Sequence, residues 1–186
     1  FGLGDEIFLS LLPLSHSYEH TCGLYFPISI GAQIYYAEGP DKVAQNLQEA
    51  KPTIMTAVPR LYEALHDRIQ RGVQQSGGLK KYLFDLTLEL GRKDRVEKKP
   101  LSLSEKLSNM LVDHTVRNKV SLRFGGRLKA FVSGGAALNP DIGNFFLSLG
   151  VNILQGYGQT EASPIISCNR PGNIRIETVG PALKDV

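Results

Sequence analysis

The 186 residues are 42% hydrophobic, 21% charged and 8% aromatic, a balance that supports a buried core and excludes a chain disordered throughout. The net charge of +3 is local in origin: residues 60–127 carry 15 Lys and Arg against 8 Asp and Glu (+7), and the remainder carries 6 against 10 (−4), with no interleaved aromatics of the kind a nucleic-acid platform needs. Two distant cysteines, Cys22 and Cys168, lack a CxxC pair or a His at ligand spacing, which excludes a disulfide framework and a zinc site and fits a reducing, cytoplasmic setting.

Apolar runs of strand length alternate with helix-like stretches. "EIFLSLLPL" (6–14) reads as a first strand, followed by "SYEHTCGLYFPISIG" (17–31) as a helix. The most apolar part of that helix is broken by Pro27 and Gly31 and is too short to span a bilayer. "QIYYAE" (33–38), "DKVAQNLQEAKP" (41–52) and "TIMTAV" (53–58) repeat strand, helix and strand. From Leu61 to about Gly126 the apolar positions fall at helical spacing, as in Leu61, Leu65, Ile69 and Val73 or Leu79, Leu83, Leu86 and Leu90. "SLSE" (102–105) has the form of a capping box, so three helices are expected within this insert. "LKAFVS" (128–133), "NPDIGNFFLSLG" (139–150) and "VNILQ" (151–155) complete the series, with Asn139 as N-cap, Pro140 opening the helix and Gly150 ending it. The alternation predicts an α/β fold: a mostly parallel sheet of about five strands, helices on both faces and a helical insert.

In an open parallel sheet, ligands bind beyond the carboxyl ends of the strands. The uncommon residues of this chain follow those ends. The first strand leads into "PLSHSYEH", with His16 and His20, and the third into "VPRLYE", with Arg60. The fourth leads into "SGGAALNP", where Gly134, Gly135 and Ala136 offer bare backbone to a flat ligand, although a tight turn would use the same residues. The fifth leads into "QGYGQTE". There Gly156 and Gly158 flank Tyr157, whose ring offers a stacking face; Thr160 can donate to a phosphate, and Glu161 is a hard oxygen ligand suited to Mg²⁺. The glycines are expected to make a tight turn that presents these side chains. His16 at a strand end could approach a substrate carboxylate, whereas His66 and His114 lie in the insert as surface or packing residues.

Taken in order, "LPLSHSYEH", "TAVPRLYE", "GGRLKAFVSGGAALNP", "QGYGQTE" and "TVGPAL" resemble the adenylate-forming ligases that activate carboxylates with ATP, over nearly the whole chain. The long helical insert resembles that of the long-chain fatty-acid–CoA ligases. The resemblance implies that a fatty acid attacks the ATP α-phosphate to give acyl-AMP and Mg-pyrophosphate, and that coenzyme A then displaces AMP. It implies that Gly134, Gly135 and Ala136 border the adenine, Tyr157 stacks on it within the Gly156–Gly158 loop, Thr160 holds the α-phosphate and Glu161 binds Mg²⁺. His16 and Gly158 would lie near the acyl carboxylate; Gln159 receives no role.

The family's phosphate loop, its downstream ribose-binding Asp and its C-terminal domain with the catalytic lysine have no counterpart in these 186 residues. Residues 1–186 are therefore expected to form the central part of the AMP-binding domain and to be inactive alone. Two other readings remain: an acyl-AMP ligase that delivers to a carrier protein, and a non-catalytic nucleotide-binding module. The basic insert also leaves a peripheral membrane contact open.

Overall fold

The computed structural model of the protein describes residues 5–184, so the outermost residues of the expected 1–186 unit lie outside the described residues. Its strands are β1 (Ile7–Ser10), β2 (Gln33–Tyr36), β3 (Ile54–Ala57), β4 (Ala130–Ser133), β5 (Ile153–Gly158) and β6 (Ile165–Cys168). They form one sheet in the order β2-β1-β3-β4-β5-β6. All neighbouring pairs are parallel except β5–β6. The expected α/β architecture holds, and among the described residues the sheet, expected to have about five strands, has six. Only a short turn separates β6 from β5, so it returns antiparallel without a crossover helix.

The first strand is shorter than its apolar run. It ends at Ser10, and the chain turns through Pro13, whose carbonyl accepts the His16 N–H at 2.9 Å. A continuous helical stretch follows over residues 17–29, made of α1 (Ser17–Glu19), a wide π-helical turn (His20–Tyr25) and α2 (Phe26–Ser29). Helix α3 (Val43–Ala50) connects β2 to β3.

The insert holds α4 (Pro59–Ser76), α5 (Gly78–Gly91), α6 (Leu103–Val112) and α7 (Asn118–Arg123). Because π-helical turns extend α5 and join α6 to α7, these make three continuous helical runs, as expected. The break between the first two is Gly77-Gly78, both at positive φ. Ser102 and Glu105 form the full capping box that opens α6. Arg117 then locks the insert to the domain. It is buried and donates to Asn109 Oδ1 (2.7 Å), Asp113 Oδ1 (2.6 Å), Thr87 O (3.2 Å) and, on α8 (Pro140–Ser148), Ser148 O (3.1 Å). Asn139 caps α8 by accepting the Asp141 N–H at 2.9 Å, with Pro140 at its first turn.

Strand alternation decides what each face of the sheet carries. Leu9, Met55, Ala57, Phe131 and Ile153 point to the face covered by the main core, where Phe131 meets Tyr62, Phe124 and Phe146 at centroid separations of 5.2–6.1 Å. Phe8, Ile54, Thr56, Val132 and Leu154 point the other way. That second face is only partly covered by the helical stretch 17–29, and the uncovered part is a groove.

Candidate functional site

The groove has a volume of about 670 Å³. Its floor is the second sheet face, from Phe8 and Ile54 to Leu154, so it is apolar. Polar atoms enter it from the segment after β1 (His16 and Ser17), the segment after β4 (Gly134 and Gly135) and the end of β5 with the turn beyond it (Gly156 to Thr160); Thr21, Thr56, Asn169 and Arg170 also line it. Three segments far apart in sequence thus converge at the carboxyl end of the sheet.

The wall formed by α1 is fixed by its own side chains. His16 caps the helix by accepting the Tyr18 N–H on Nδ1 at 3.2 Å. A neutral imidazole that accepts on Nδ1 carries its proton on Nε2, which is then free to donate. Tyr18 donates its hydroxyl to the Val132 carbonyl at 3.1 Å, and Tyr62 from α4 donates to the same oxygen at 2.8 Å. Glu19 is fully buried and accepts Ser10 Oγ at 2.5 Å and Thr56 Oγ1 at 2.8 Å. Burial pushes its carboxyl above the usual range, opposed by those two hydroxyls and by the Leu11 N–H.

Across the groove the second wall is β5, and here the structure corrects an expectation. Gly156-Tyr157-Gly158 is extended strand, not a tight turn, and neither glycine has a positive φ. The glycines serve close approach: a Cβ on Gly158 would fall 1.7 Å from the Pro164 carbonyl oxygen, and one on Gly156 would fall 3.1 Å from that of Ser167. The strand irregularity lies between Tyr157 and Gly158. Tyr157 is 46% exposed at the groove, its hydroxyl held by Gln159 Nε2, which donates to it at 2.8 Å. The turn comes one step later, as a single 3₁₀ turn over Thr160–Ala162.

Between the walls, Gly135 adopts φ +81°, a conformation that favours glycine, and so turns the backbone after β4 along the groove. Ala136, grouped with these glycines in the sequence, is exposed and stands outside the groove lining. Glu161 is also exposed, next to Thr160 but outside the lining. Among the described residues no group of three or more His, Cys, Asp or Glu side chains could hold a metal ion. Mg²⁺ commonly takes one or two carboxylates together with substrate phosphates and water, and a single exposed carboxylate such as Glu161 fits that donor set.

The remaining candidates lie elsewhere. His20 Nδ1 sits 2.9 Å from the Leu14 carbonyl, its ring edge-on to Tyr25, and Arg60 is exposed on α4; neither lines the groove. His66 packs edge-on against Phe145, and His114 is exposed. Cys22 and Cys168 both line the groove, but burial pushes the Cys22 thiol up to about 12 and raises Cys168 as well. Both are neutral walls rather than nucleophiles.

The whole chain, residues 1–186, matches the family described as AMP-binding enzyme. The chain belongs to that family. Among relatives of the AMP-binding enzyme, it is 33% identical over 167 residues to the peroxisomal long chain acyl-CoA synthetase 6 of Arabidopsis thaliana, covering 88% of this chain and 22% of that protein. It is 32% identical over 189 residues to the long-chain-fatty-acid–CoA ligase ACSBG2 of Homo sapiens, covering 98% of this chain and 28% of that one. The chain thus spans about a quarter of the length of the curated relatives it matches. In structure it resembles a benzoate CoA ligase from Burkholderia xenovorans, with a TM-score of 0.59, 25% identity and coverage of 99% of this chain and 28% of that one. The anthranilate CoA ligase AuaEII in complex with anthranoyl-AMP shares the fold at a TM-score of 0.59, with 22% identity and coverage of 97% and 26%. These likenesses agree with the α/β domain of an AMP-binding enzyme.

Proposed function

We propose that this chain forms the central part of the AMP-binding domain of a long-chain fatty-acid–CoA ligase. The observation that carries the reading is the convergence of His16, Gly134, Gly135, Tyr157 and Thr160 on one groove whose floor is apolar. The names of the relatives, long-chain acyl-CoA synthetases and ligases, support the same substrate class.

In this reading the adenine lies along the bare backbone of Gly134 and Gly135, with the half-exposed ring of Tyr157 stacked on it. Thr160 donates to the α-phosphate. The fatty acid lays its alkyl chain over Phe8, Ile54 and Leu154 and brings its carboxylate past Gly158 toward His16 Nε2–H. A carboxylate oxygen bonds to the α-phosphorus as the bond to the leaving pyrophosphate breaks. The thiol sulfur of coenzyme A then bonds to the acyl carbon and releases AMP. The residues present supply positioning and hydrogen bonds rather than a protein nucleophile, which suits this chemistry. Mg²⁺, held through Glu161, would neutralise charge on the phosphates.

The insert is the part suited to a lipid surface. Leu103, Leu107, Met110 and Leu111, at helical spacing, all face outward on α6, and Lys98, Lys99 and Lys106 are exposed beside them. Among the described residues no helix is long and apolar enough to cross a membrane. The contact supported is peripheral, with an anionic leaflet.

The test is carboxylate-dependent ATP–pyrophosphate exchange by the full-length protein and its Glu161→Ala variant. Exchange in the parent and its loss in the variant are expected. Unchanged exchange in the variant would overturn the metal assignment, and ATP binding without any exchange would favour the non-catalytic module. Acyl-AMP that passes to a carrier protein but not to coenzyme A would identify the carrier-delivering ligase instead.

A further inference from the structure

Three consecutive residues of α1 reach three different parts of the groove. Glu19 is anchored to β1 and β3 through Ser10 and Thr56. Tyr18 is anchored to β4 through the Val132 carbonyl, and its ring lies against Gly134, where a Cβ would come within 3.0 Å of Cζ. Ser17, between His16 and this doubly fixed pair, projects across the groove mouth. Its Oγ lies 3.0 Å from Thr160 Oγ1, joining residues 143 positions apart in sequence.

We propose that Ser17 is a positioning residue for Thr160: its hydroxyl donates to Thr160 Oγ1 and so turns the Thr160 proton toward the bound phosphate. The inference rests on the reading of Thr160 as the phosphate ligand. A threonine hydroxyl has one hydrogen. If Thr160 donated it to Ser17, an incoming phosphate oxygen would meet only lone pairs. With Ser17 as donor, Thr160 accepts on one side and donates on the other. The chain from Ser17 through Thr160 to phosphate then runs in one direction, and each bond polarises the next. Because Tyr18 and Glu19 fix the backbone of the turn, Ser17 meets Thr160 before the nucleotide arrives, so the ordering cost does not fall on ligand binding.

The test is a double-mutant cycle on ATP affinity, measured at equilibrium in the full-length protein with Ser17→Ala, Thr160→Ala and the pair combined. Ser17→Ala should weaken ATP roughly two- to tenfold, the range expected for one hydrogen bond, and leave the KM for the fatty acid unchanged. In the Thr160→Ala background the same change should cost less than about twofold, because the bond is already gone. Ser17→Thr, which keeps the hydroxyl, should restore affinity. Ser17→Cys, close in size and a weak donor, should behave like Ser17→Ala and separates loss of the bond from loss of packing. An equal cost in both backgrounds, or no cost in the parent, contradicts the proposal. If Thr160→Ala alone leaves ATP affinity unchanged, the phosphate reading itself fails, and the Ser17 proposal fails with it.

Discussion

Gly158 and Pro164 approach each other so closely that a Cβ on Gly158 would lie 1.7 Å from the Pro164 carbonyl oxygen. The contact pins the end of β5 to the start of β6 and so sets where Gln159 and Thr160 leave the strand. Gly158→Ala must push these backbones apart, since the obstructing atom cannot rotate away. The expected cost is about 1–3 kcal/mol, as for overpacking, read as a lower urea midpoint at constant m-value. Gly156→Ala, whose added Cβ would meet the Ser167 carbonyl oxygen at 3.1 Å, should cost less.

Glu19 makes a prediction about pH. Burial raises its folded-state pKa above the ordinary value of 4.5, so the folded protein holds this proton more tightly than the unfolded chain. The stability it contributes is therefore fully present below 4.5 and is lost as pH rises toward the raised folded value. The stability advantage of the parent over Glu19→Gln should be larger at acid pH than at neutral pH in paired denaturation curves. An advantage that grows toward neutral pH would show that the Ser10 and Thr56 hydroxyls outweigh burial.

Arg117 joins α6, the π-helical turn after it, α5 and α8 through four hydrogen bonds from one planar group. Arg117→Ala leaves two backbone carbonyls and two side chains without their donor. A loss of about 3 kcal/mol is expected, at the low end for breaking a buried charged group's network. Arg117→Lys should recover only part of it, because a point ammonium cannot reproduce the fork. Thermal midpoints of the three proteins give the comparison.

The outward face of α6, with Lys106 on the helix and Lys98 and Lys99 in the segment before it, predicts binding to vesicles containing anionic phospholipid. Charge reversal of Lys98 and Lys99 should abolish co-sedimentation at low salt, and Leu107→Ser should weaken it at all salt concentrations. Equal binding to neutral vesicles by parent and variants would contradict a role for these residues.

Features that depend only on neighbours in sequence are legible in the sequence itself. The capping box at Ser102, the Asn139-Pro140 helix start and the buried runs of β3 and β4 are of this kind. β6 is not, because Ile165–Cys168 after a proline looks like loop until β5 is there to pair with it. The "GYG" stretch misleads for a related reason. Glycine permits both positive φ and close approach, and only the Pro164 and Ser167 carbonyls decide between them. Gln159 receives no role from sequence because its partner, the Tyr157 hydroxyl, follows from strand geometry. The link between Ser17 and Thr160 spans most of the chain, and local pattern carries no sign of it.

The central claim is that the groove between α1 and β5 activates a fatty acid with ATP. Its most direct test is ATP–pyrophosphate exchange by the full-length protein across saturated acids of graded length, with Thr160→Ala in parallel. The account predicts exchange that depends on added acid, favours long chains and collapses in Thr160→Ala. Acid-independent exchange, or undiminished exchange in Thr160→Ala, would contradict it.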